Sequence, residues 1–557
     1  MDYRITFKLE SGGDHKVSAA FGDNILELAM KAGVDIDAPC SGAGTCGKCR
    51  LRLISGSVGT TPNTHLSEAE YNDGWRLACQ STVEGDAVFI VPDAAGAYKS
   101  GIKTAGLASA AEAAMYERAM SGIFSNGIAR GTGAAAGTYG IAVDIGTTTV
   151  SAALIELDSG RIAARSSAGN GQIRYGADVI NRIIQQARPG GVEKLRRAVC
   201  EETIAPMIEA MLSSAGIAPD RVTRCAVAGN TTMEHLFVGA DAESIRLEPY
   251  VPEFLELHGK TASQLHLPLP PELEVLFAPN VGSYVGGDIT AGVLTTPMWH
   301  SDELSLFIDL GTNGELVFGN RDYMLCCACS AGPAFEGGDI SCGMRATSGA
   351  IESCTIDPDT MEPSYTVVGD TAPCGVCGSG LIDTISELFR CGIISPKGKF
   401  IRDGRRVRRG EYCASYLLAF AGEAGGREVE LTEIDIDNFI RAKGAIFSAI
   451  RTMLNSLDMT VDMIDRIYIA GGIGSGIDVE KAMAIGMLPK TQQEKYSYIG
   501  NSSLFGACAM IQSDAAADKV FEIGRNMTYI ELSSHPGYMD EFVASCFLPH
   551  TDASLFE

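Results

Sequence analysis

The first ninety residues alternate between apolar and polar positions in a way that predicts a small sheet with one helix. Residues 3–9 alternate like a half-buried strand, and residues 50–56 and 86–91 predict further strands. Residues 24–33 have the apolar spacing of a short helix that ends at a glycine, a residue typical of helix C-termini. The pattern therefore predicts a strand, a helix, a loop and more strands, in a module that ends near residue 92.

Two later segments have the same pattern as each other. Residues 139–154 and 304–318 each contain an apolar strand, an Asp-x-Gly-Thr turn and a second strand. One such turn could be an ordinary hairpin, but two copies about 165 residues apart predict a duplicated α/β fold. Residues 466–476 form a third segment, in which an apolar strand runs into a group of glycines, and residues 436–457 have helical apolar spacing.

Residues 93–138 differ from both regions because alanine and glycine dominate them. The simplest interpretation is a tether that lets the first module move. The alternative is an alanine-rich helix packed on the next domain, with residues 107–120 as its core. We therefore predict domains at residues 1–94, 139–302 and 303–557, with a flexible or helical linker at residues 95–138.

Composition limits the classes of function. The chain has 557 residues, of which 46% are hydrophobic, so it can form several cores. Its net charge of −25 disfavours nucleic acid and anionic membrane surfaces as partners. The sequence has no secretory-signal pattern and no apolar run long enough for a membrane span. Seventeen cysteines, an odd number, do not resemble a disulfide framework, so we predict a reducing, cytoplasmic location.

Four cysteines near the start have the spacing of an iron–sulfur site. Cys40, Cys46 and Cys49 form C-x5-C-x2-C, and Cys79 follows after twenty-nine residues. Three thiolates in one small-residue loop with a distant fourth are typical of a [2Fe–2S] cluster. Structural zinc usually uses two C-x2-C pairs, and this segment has one. The module therefore resembles a β-grasp ferredoxin with the longer loop of the adrenodoxin-like group.

The repeated turns have the chemistry of a phosphate site. An Asp-x-Gly-Thr turn presents backbone N–H groups and a hydroxyl to phosphate oxygens, and its aspartate can hold Mg²⁺ or its water shell. The three segments, in this order, resemble the phosphate-1, phosphate-2 and adenosine motifs of the ASKHA superfamily, which includes actin, sugar kinases and heat-shock chaperones. That resemblance implies ATP between two halves, with a small-residue connecting helix at residues 443–446. A GxxxxGK[ST] loop is absent from the sequence.

The whole chain resembles the reductive activators of corrinoid-dependent methyltransferases and corrinoid iron–sulfur proteins. The resemblance includes residues 228–233, 278–281, 286–288, 331–338, 374–380, 500–507 and 547–550. It implies an ATP-dependent electron-transfer enzyme that reduces inactive Co(II) to Co(I). It also implies a corrinoid protein and an upstream low-potential electron donor as partners, and leaves a homodimer open. Some relatives carry further clusters near the carboxyl end, where this chain has only Cys546, so we expect a single cluster.

The motifs then suggest roles for individual residues. Cys40, Cys46, Cys49 and Cys79 are the expected iron ligands. The residues expected around the phosphates and Mg²⁺ are Asp144, Gly146, Thr147, Thr148, Asp309, Gly311, Thr312 and Asn313. The residues expected beside the nucleoside are Gly471, Gly472, Gly474 and Ser475. Asp144, Asp309 and Glu315 are the expected catalytic residues, and Asp144, Glu315 and Asp288 are all eligible as the base that activates water.

Several alternatives stay open. The target could be a partner without a corrinoid, or the chain could be a redox sensor that binds nucleotide without turnover. Cysteines at 326, 327, 329, 374 and 377 could bind a second cluster or zinc, but their apolar or glycine-rich surroundings favour buried thiols or turns. The basic run at residues 402–409 is more typical of a solvated loop than of a docking site for an acidic partner. Ser330 and His235 are best interpreted as structural.

Overall fold

The computed structural model covers most of the chain. It describes residues 3–10, 12–34, 36, 38, 42, 44, 47–60, 65–92, 104–106, 109–131, 133, 135–410, 413–426, 428–472 and 476–556. Within these ranges, no helix combines the length and the apolar character needed to cross a membrane.

The amino-terminal module is a five-stranded sheet with a short helix against it. Its elements are β1 (Tyr3–Leu9), β2 (Asp14–Ala19), α1 (Ile25–Lys31), β3 (Arg50–Thr60), α2 (Glu68–Asn72), β4 (Trp75–Leu77) and β5 (Ser81–Val91). The strand order is β2-β1-β5-β3-β4, with β1 parallel to β5 and the other neighbours antiparallel. Asn24 begins α1, because its side chain accepts hydrogen bonds from the N–H groups of Leu26 and Glu27. The predicted ferredoxin-like module is therefore confirmed.

The middle of the chain forms a six-stranded sheet with helices. Its elements are β6 (Thr104–Gly106), α3 (Ala110–Ser125), β7 (Tyr139–Ile145), β8 (Thr149–Glu156), β9 (Ile162–Gly169), α4 (Val179–Gln186), α5 (Gly191–Val199), α6 (Ala205–Ala215), β10 (Val222–Gly229), α7 (Thr231–Val238), α8 (Glu243–Arg246), β11 (Val275–Phe277) and α9 (Gly287–Leu294). The strand order is β11-β10-β7-β8-β9-β6. We call residues 139–302 the first half, because β6 and α3 lie in the linker.

The remaining residues form the second half, again around a six-stranded sheet. Its elements are β12 (Ser305–Leu310), β13 (Gly314–Asn320), β14 (Tyr323–Cys329), β15 (Ala350–Ile356), β16 (Pro363–Val367), β17 (Gly375–Val376), α10 (Gly378–Arg390), β18 (Val407–Arg409), β19 (Ala414–Ala419), β20 (Val429–Thr432), α11 (Glu433–Ser456), β21 (Arg466–Ala470), α12 (Val479–Ala484), β22 (Tyr496–Gly500), α13 (Ser502–Gln512), α14 (Asp514–Asn526), β23 (Met527–Tyr529) and α15 (Tyr538–Ser545). The strand order is β22-β21-β12-β13-β14-β23, and two three-stranded sheets, β16-β15-β17 and β18-β19-β20, lie beside it.

The two large sheets repeat one topology, which confirms the predicted duplication. In the first half, β7, β8 and β9 are an antiparallel meander, and β10 and β11 extend it in parallel with β7. In the second half, β12, β13 and β14 form the same meander, and β21 and β22 extend it in parallel with β12. Asp144 and Asp309 therefore occupy the same place in each half, near the end of the first strand.

The linker packs on the first half over its described residues. Helix α3 buries the side chains of Tyr116, Met120 and Ile123, which share one face at helical spacing. The hydroxyl of Tyr116 donates to the carbonyl oxygen of Gly160 at 2.7 Å, and β6 pairs with β9. Residues 110–125 therefore form a helix packed on the first half, and residues 104–106 add a strand to its sheet.

The two halves meet where α9 crosses α13. A Cβ atom added to Gly506 would lie 2.0 Å from the carbonyl oxygen of Ala291, so the two helix backbones are in direct contact. Residues 443–446, which the resemblance indicates as the small-residue part of a connecting helix, do lie on the helix before β21. They belong to α11, where a Cβ atom on Gly444 would lie 3.1 Å from the Sγ atom of Cys546. The small residues of α11 therefore accommodate the carboxyl-terminal segment, because that segment packs on the same helix face.

Candidate functional site

The two Asp-x-Gly-Thr turns face each other across the boundary between the halves. The Oγ1 atom of Thr148 lies 3.0 Å from the Oγ1 atom of Thr312. Both hydroxyls donate to Oε2 of Glu336, Thr148 at 2.6 Å and Thr312 at 2.9 Å. Residues separated by more than 160 positions in sequence thus form one polar site, whose donors are suited to phosphate oxygens.

A backbone hydrogen bond from the glycine N–H closes each turn, and the second turn is one residue shorter than the first. The N–H of Gly146 donates to the carbonyl oxygen of Thr149 at 3.1 Å, and the N–H of Gly311 donates to that of Asn313 at 3.1 Å. A Cβ atom on Gly146 would lie 2.5 Å from the Thr149 oxygen, so the turn requires glycine at this position. The sequence motif therefore specifies the turn geometry locally.

The first half's turn is held by three further side chains. Asn230 donates from Nδ2 to the hydroxyl of Thr147 at 3.0 Å. Arg182 is fully buried and donates to the carbonyl oxygen of Thr147 at 2.5 Å, and burial lowers the pKa of Arg182 to about 9. Arg345, from the second half, donates to the carbonyl oxygen of Thr148 at 3.3 Å. Two guanidinium groups thus lie beside a turn expected to bind an anion.

Asp144 accepts hydrogen bonds from the opposite half. Asn501 donates from Nδ2 to Oδ2 of Asp144 at 2.8 Å, and Ser503 donates from Oγ to Oδ1 at 2.8 Å. The side chain of Asn501 also accepts from the N–H of Leu504, which caps α13. Burial raises the pKa of Asp144, and the two donors oppose that shift. Sequence reasoning missed Asn501 and Ser503, although both lie within residues 500–507, a segment already noted for its resemblance.

Asp309 lies among other carboxylates. Burial and the negative charges of Asp144 and Glu336 raise the pKa of Asp309 to about 7. Burial and the charges of Asp309 and Asp144 raise the pKa of Asp288, which lies in the first turn of α9. Burial and the charges of Asp288 and Asp309 raise the pKa of Glu315. These carboxylates repel one another, so a bound cation would stabilise their ionised forms.

The carboxylates fit a cation that is shared with phosphate. Among the residues that the structure describes, no three histidine, cysteine, aspartate or glutamate side chains are grouped closely enough to hold a metal ion alone. Mg²⁺ in proteins usually takes one or two carboxylates and completes its shell with water and substrate phosphates. Asp309 and Asp288 therefore fit Mg²⁺ bound together with a nucleotide.

A glycine segment beside Asp309 borders the site. Gly471 has φ of +95°, and a Cβ atom there would lie 2.4 Å from the carbonyl oxygen of Leu310 and 3.0 Å from Oδ1 of Asp309. At Gly472, no described atom lies within 4 Å of an added Cβ. Gly474 and Ser475 lie outside the described residues. Gly476 lies close to Ser379 at the start of α10, so the start of α10 also borders this region.

The structure describes two of the four cysteines that are predicted to hold an iron–sulfur cluster. Cys49 precedes β3, and Cys79 lies in the helical turn Ala78–Gln80 before β5. Both are buried, and their Sγ atoms lie 3.2 Å apart. Asn24 donates from Nδ2 to the carbonyl oxygen of Cys79 at 2.9 Å, which fixes that turn against α1. The two thiols therefore fit neighbouring ligands of a cluster. Cys40 and Cys46 lie outside the described residues.

The cysteines outside this site have different surroundings. Cys326, Cys327 and Cys329 are buried on β14, and burial raises their pKa values. Cys377 is buried at the start of α10, whereas Cys374 is exposed.

Charge neutralisation explains the basic run, and burial explains His235. Arg406 and Arg408 of the basic run form ion pairs with Glu362 and Glu428 respectively, so the run is largely neutralised within the chain. His235 is buried, and its ring stacks on Phe254 with centroids 3.9 Å apart, which is a structural role. Ser330 is exposed at the end of β14.

Three family descriptions match successive parts of the chain. Residues 9–84 match "2Fe-2S iron-sulfur cluster binding domain". Residues 139–301 match "RACo middle region", and residues 303–557 match "C-terminal domain of RACo the ASKHA domain".

Two individual proteins and one solved structure are similar to this chain over most of their own length. The "Corrinoid activation enzyme RamQ" of Eubacterium limosum is 34% identical over 416 residues, covering 73% of this chain and 69% of the relative. The "[Co(II) methylated amine-specific corrinoid protein] reductase" of Methanosarcina barkeri is 24% identical over 433 residues, covering 70% of this chain and 73% of the relative. A solved structure titled "Reductive activator for corrinoid,iron-sulfur protein" is 38% identical with a TM-score of 0.71, and the match covers 100% of this chain and 99% of that one.

Proposed function

The chain belongs to the RACo family of corrinoid reductive activators, and we propose that it uses ATP to reduce a corrinoid protein from inactive Co(II) to Co(I). One observation carries the proposal. The same chain joins a thiol pair 3.2 Å apart in a ferredoxin fold to two phosphate turns that meet at Glu336. A [2Fe–2S] cluster held by Cys40, Cys46, Cys49 and Cys79 would supply one electron at low potential.

The nucleotide site would supply the free energy. Moving one electron against a potential difference costs about 2.3 kcal/mol for each 100 mV, and ATP would supply this free energy for the reduction of Co(II). Gly146, Thr147, Thr148, Gly311, Thr312 and Asn313 would bind the phosphates through N–H and hydroxyl groups. Gly471, Gly472, Gly474 and Ser475 would border the nucleoside.

Carboxylates on the two halves would have different tasks. Asp309, with Asp288, would hold Mg²⁺, because neighbouring negative charges already disfavour its ionised form without a cation. Asp144 is fixed by Asn501 and Ser503, which suits it to orient water. Glu315 is buried beside Asp288 and Asp309 and is the second candidate base.

The proposal extends to partners and organisation. A corrinoid protein would accept the electron, and an upstream low-potential donor would reload the chain. We also propose a cytoplasmic location, domain limits at residues 94, 138 and 302, and a homodimer, since dimers are common among such ATPases. The basic run offers little attraction for an acidic partner, because its arginines already pair with glutamates of the same chain.

The decisive experiment follows cobalt and ATP together. The anaerobically reconstituted protein is mixed with a Co(II) corrinoid protein, a chemical reductant and MgATP, and Co(I) is recorded by visible absorption. We expect ATP-dependent Co(I) formation. Asp309→Ala should lose ATP turnover but retain the cluster absorption, whereas Cys79→Ser should lose the cluster but retain nucleotide binding.

Matched variants control for nonspecific damage. Cys225→Ser removes another buried thiol, from β10, and should leave Co(I) formation intact. Asp220→Asn removes an exposed carboxylate and should also have no effect. If Co(II) stayed unreduced while ATP was hydrolysed regardless of the corrinoid protein, a non-corrinoid target would be favoured. Nucleotide binding without turnover would favour the redox sensor.

A further inference from the structure

Glu336 lies at the meeting point of the two phosphate turns. It follows the anchored residue Phe335, which is buried and packs edge-on against Phe439 of α11 with ring centroids 5.5 Å apart. The Glu336 carboxylate extends from this anchor and accepts hydrogen bonds from Thr148 of the first half and Thr312 of the second. A single carboxylate oxygen therefore connects the hydroxyls of both halves.

A phosphate between the turns would need the same two hydroxyls. Phosphate oxygens and a carboxylate oxygen are both anionic acceptors, and each hydroxyl has one hydrogen to donate. Glu336 would also repel a phosphate through its charge, in a site that already contains Asp144 and Asp309. Glu336 and a terminal phosphate are therefore competitors for Thr148 and Thr312.

The segment that carries Glu336 also touches the ferredoxin-like module. The Nζ atom of Lys48 lies 3.5 Å from the carbonyl oxygen of Gly337, and Lys48 immediately precedes the buried thiol of Cys49. Gly337 is itself buried and has φ of +76°. Movement of Glu336 would thus be transmitted, through one peptide unit, to a contact beside an expected iron ligand.

We propose that Glu336 competes with the terminal phosphate for the hydroxyls of Thr148 and Thr312, and that its displacement changes the Gly337–Lys48 contact beside the cluster. The inference rests on the proposed function, because it requires a nucleotide between the turns. It assigns the segment 333–338 as the connection by which nucleotide occupancy reaches the ferredoxin-like module. Glu336 is a positioning residue here, since it acts by holding and releasing Thr148 and Thr312.

The first test measures nucleotide affinity on the reconstituted full-length protein by calorimetry. Glu336→Ala should bind the non-hydrolysable analogue AMP-PNP, with Mg²⁺, about tenfold more tightly than the unmodified protein, because a competing charge-assisted hydrogen-bond acceptor is gone. Affinity for ADP should stay the same. Glu336→Gln keeps the shape of the side chain and should give a smaller gain in AMP-PNP affinity. Glu494→Ala, an exposed glutamate before β22, is the matched control.

The second test measures amide hydrogen exchange in residues 47–60 with and without AMP-PNP. The unmodified protein should exchange faster in this segment when AMP-PNP is bound, and Glu336→Ala and Lys48→Met should lose that difference. Lys48→Met should bind AMP-PNP normally. Lys16→Met, on the distant edge strand β2, should behave like the unmodified protein.

The outcomes separate this inference from the proposed function. Three results would each overturn the inference and leave the proposed function intact. The first is an unchanged AMP-PNP affinity in Glu336→Ala, and the second is an equal gain in its affinity for ADP. The third is a nucleotide-dependent difference in hydrogen exchange that survives in Lys48→Met. If the unmodified protein failed to bind AMP-PNP, the proposed function would fail, and the inference with it.

Discussion

At the scale of residues, the two repeated aspartates have become different. Asp144 accepts from two neutral donors of the opposite half, whereas Asp309 has carboxylates as its electrostatic neighbours. Hydrogen-bond donors stabilise a carboxylate, and like charges destabilise it. Duplication therefore supplied two equivalent positions, and the surrounding helices gave them unequal chemistry.

We predict that Asp309 makes stability depend on pH. Its pKa in the folded protein, about 7, is higher than its ordinary value of 3.8, so between these values the folded state binds the extra proton. The contribution of Asp309 to the free energy of unfolding therefore falls as the pH rises from the lower of these pKa values to the higher. Urea unfolding without nucleotide should show the stability of Asp309→Asn, relative to the unmodified protein, rising between about pH 4 and about pH 7 and staying constant above that.

The control for this prediction is Asp220→Asn, which removes an exposed carboxylate far from the site in sequence. The difference in free energy of unfolding between Asp220→Asn and the unmodified protein should not change with pH in the way expected for Asp309→Asn. A stability difference for Asp309→Asn that stays constant with pH would contradict the prediction. Addition of MgAMP-PNP should reduce the pH dependence of the unmodified protein, because the cation compensates the repulsion.

At the scale of elements, the crossing of α9 and α13 positions the site from both sides. The first turn of α9 carries Asp288, and the start of α13 carries Asn501 and Ser503. The close contact between α9 and α13 depends on Gly506, which lies against the Ala291 backbone. Small residues at the crossing therefore fix how far the two sets of site residues lie from each other.

We predict that Gly506→Val disturbs both stability and the site. The added Cβ would meet the Ala291 oxygen at 2.0 Å, so the helices must separate. Overpacking of this kind costs about 1–3 kcal/mol or more, measured as the free energy of unfolding in urea. Affinity for MgAMP-PNP should fall as well, because Asp288 and Asn501 move with their helices.

A glycine without this contact provides the comparison. Gly122 lies exposed in α3, and no described atom would come within 4 Å of its added Cβ. Gly122→Ala should stabilise the protein by about 0.5–1 kcal/mol through helix propensity. Equal effects of Gly506→Val and Gly122→Ala would show that the crossing tolerates a larger separation than we infer.

At the scale of the whole molecule, the ferredoxin-like module has a core of its own. Ile5, Phe7, Leu51, Phe89 and their neighbours form a hydrophobic cluster separate from the others. Another cluster is shared by the halves and includes side chains of α3, α9 and α13. The linker helix therefore belongs energetically to the nucleotide-binding halves rather than to the cluster module.

We predict that residues 1–92 fold and bind a cluster without the rest of the chain. A separate apolar core of this size is sufficient for an independent domain. After anaerobic reconstitution, iron analysis should give about two iron atoms per fragment, with ferredoxin-like visible absorption. The same fragment with Cys79→Ser should lack that absorption. A fragment that stays iron-free would show that the module needs the ATPase halves.

The sequence alone determined features that depend on neighbouring residues. Alternation predicted β1, the Asp-x-Gly-Thr turns fixed their own backbone geometry, and the spacing of Cys40, Cys46 and Cys49 predicts a cluster loop. The duplication was also visible, because each copy is a local strand–turn–strand pattern. These signals are short-range, so tertiary context is not needed to interpret them.

Only the tertiary structure decided which distant groups meet. Asn501 contacts Asp144 across 357 positions, and Glu336 contacts Thr148 across 188. The sequence of the alanine-rich linker left both a tether and a packed helix open, because a weakly apolar helix is stable only when a partner surface covers Tyr116 and Met120. The packing of the two halves determines these pairings, since burial, charge and helix contact act between surfaces that no local pattern specifies.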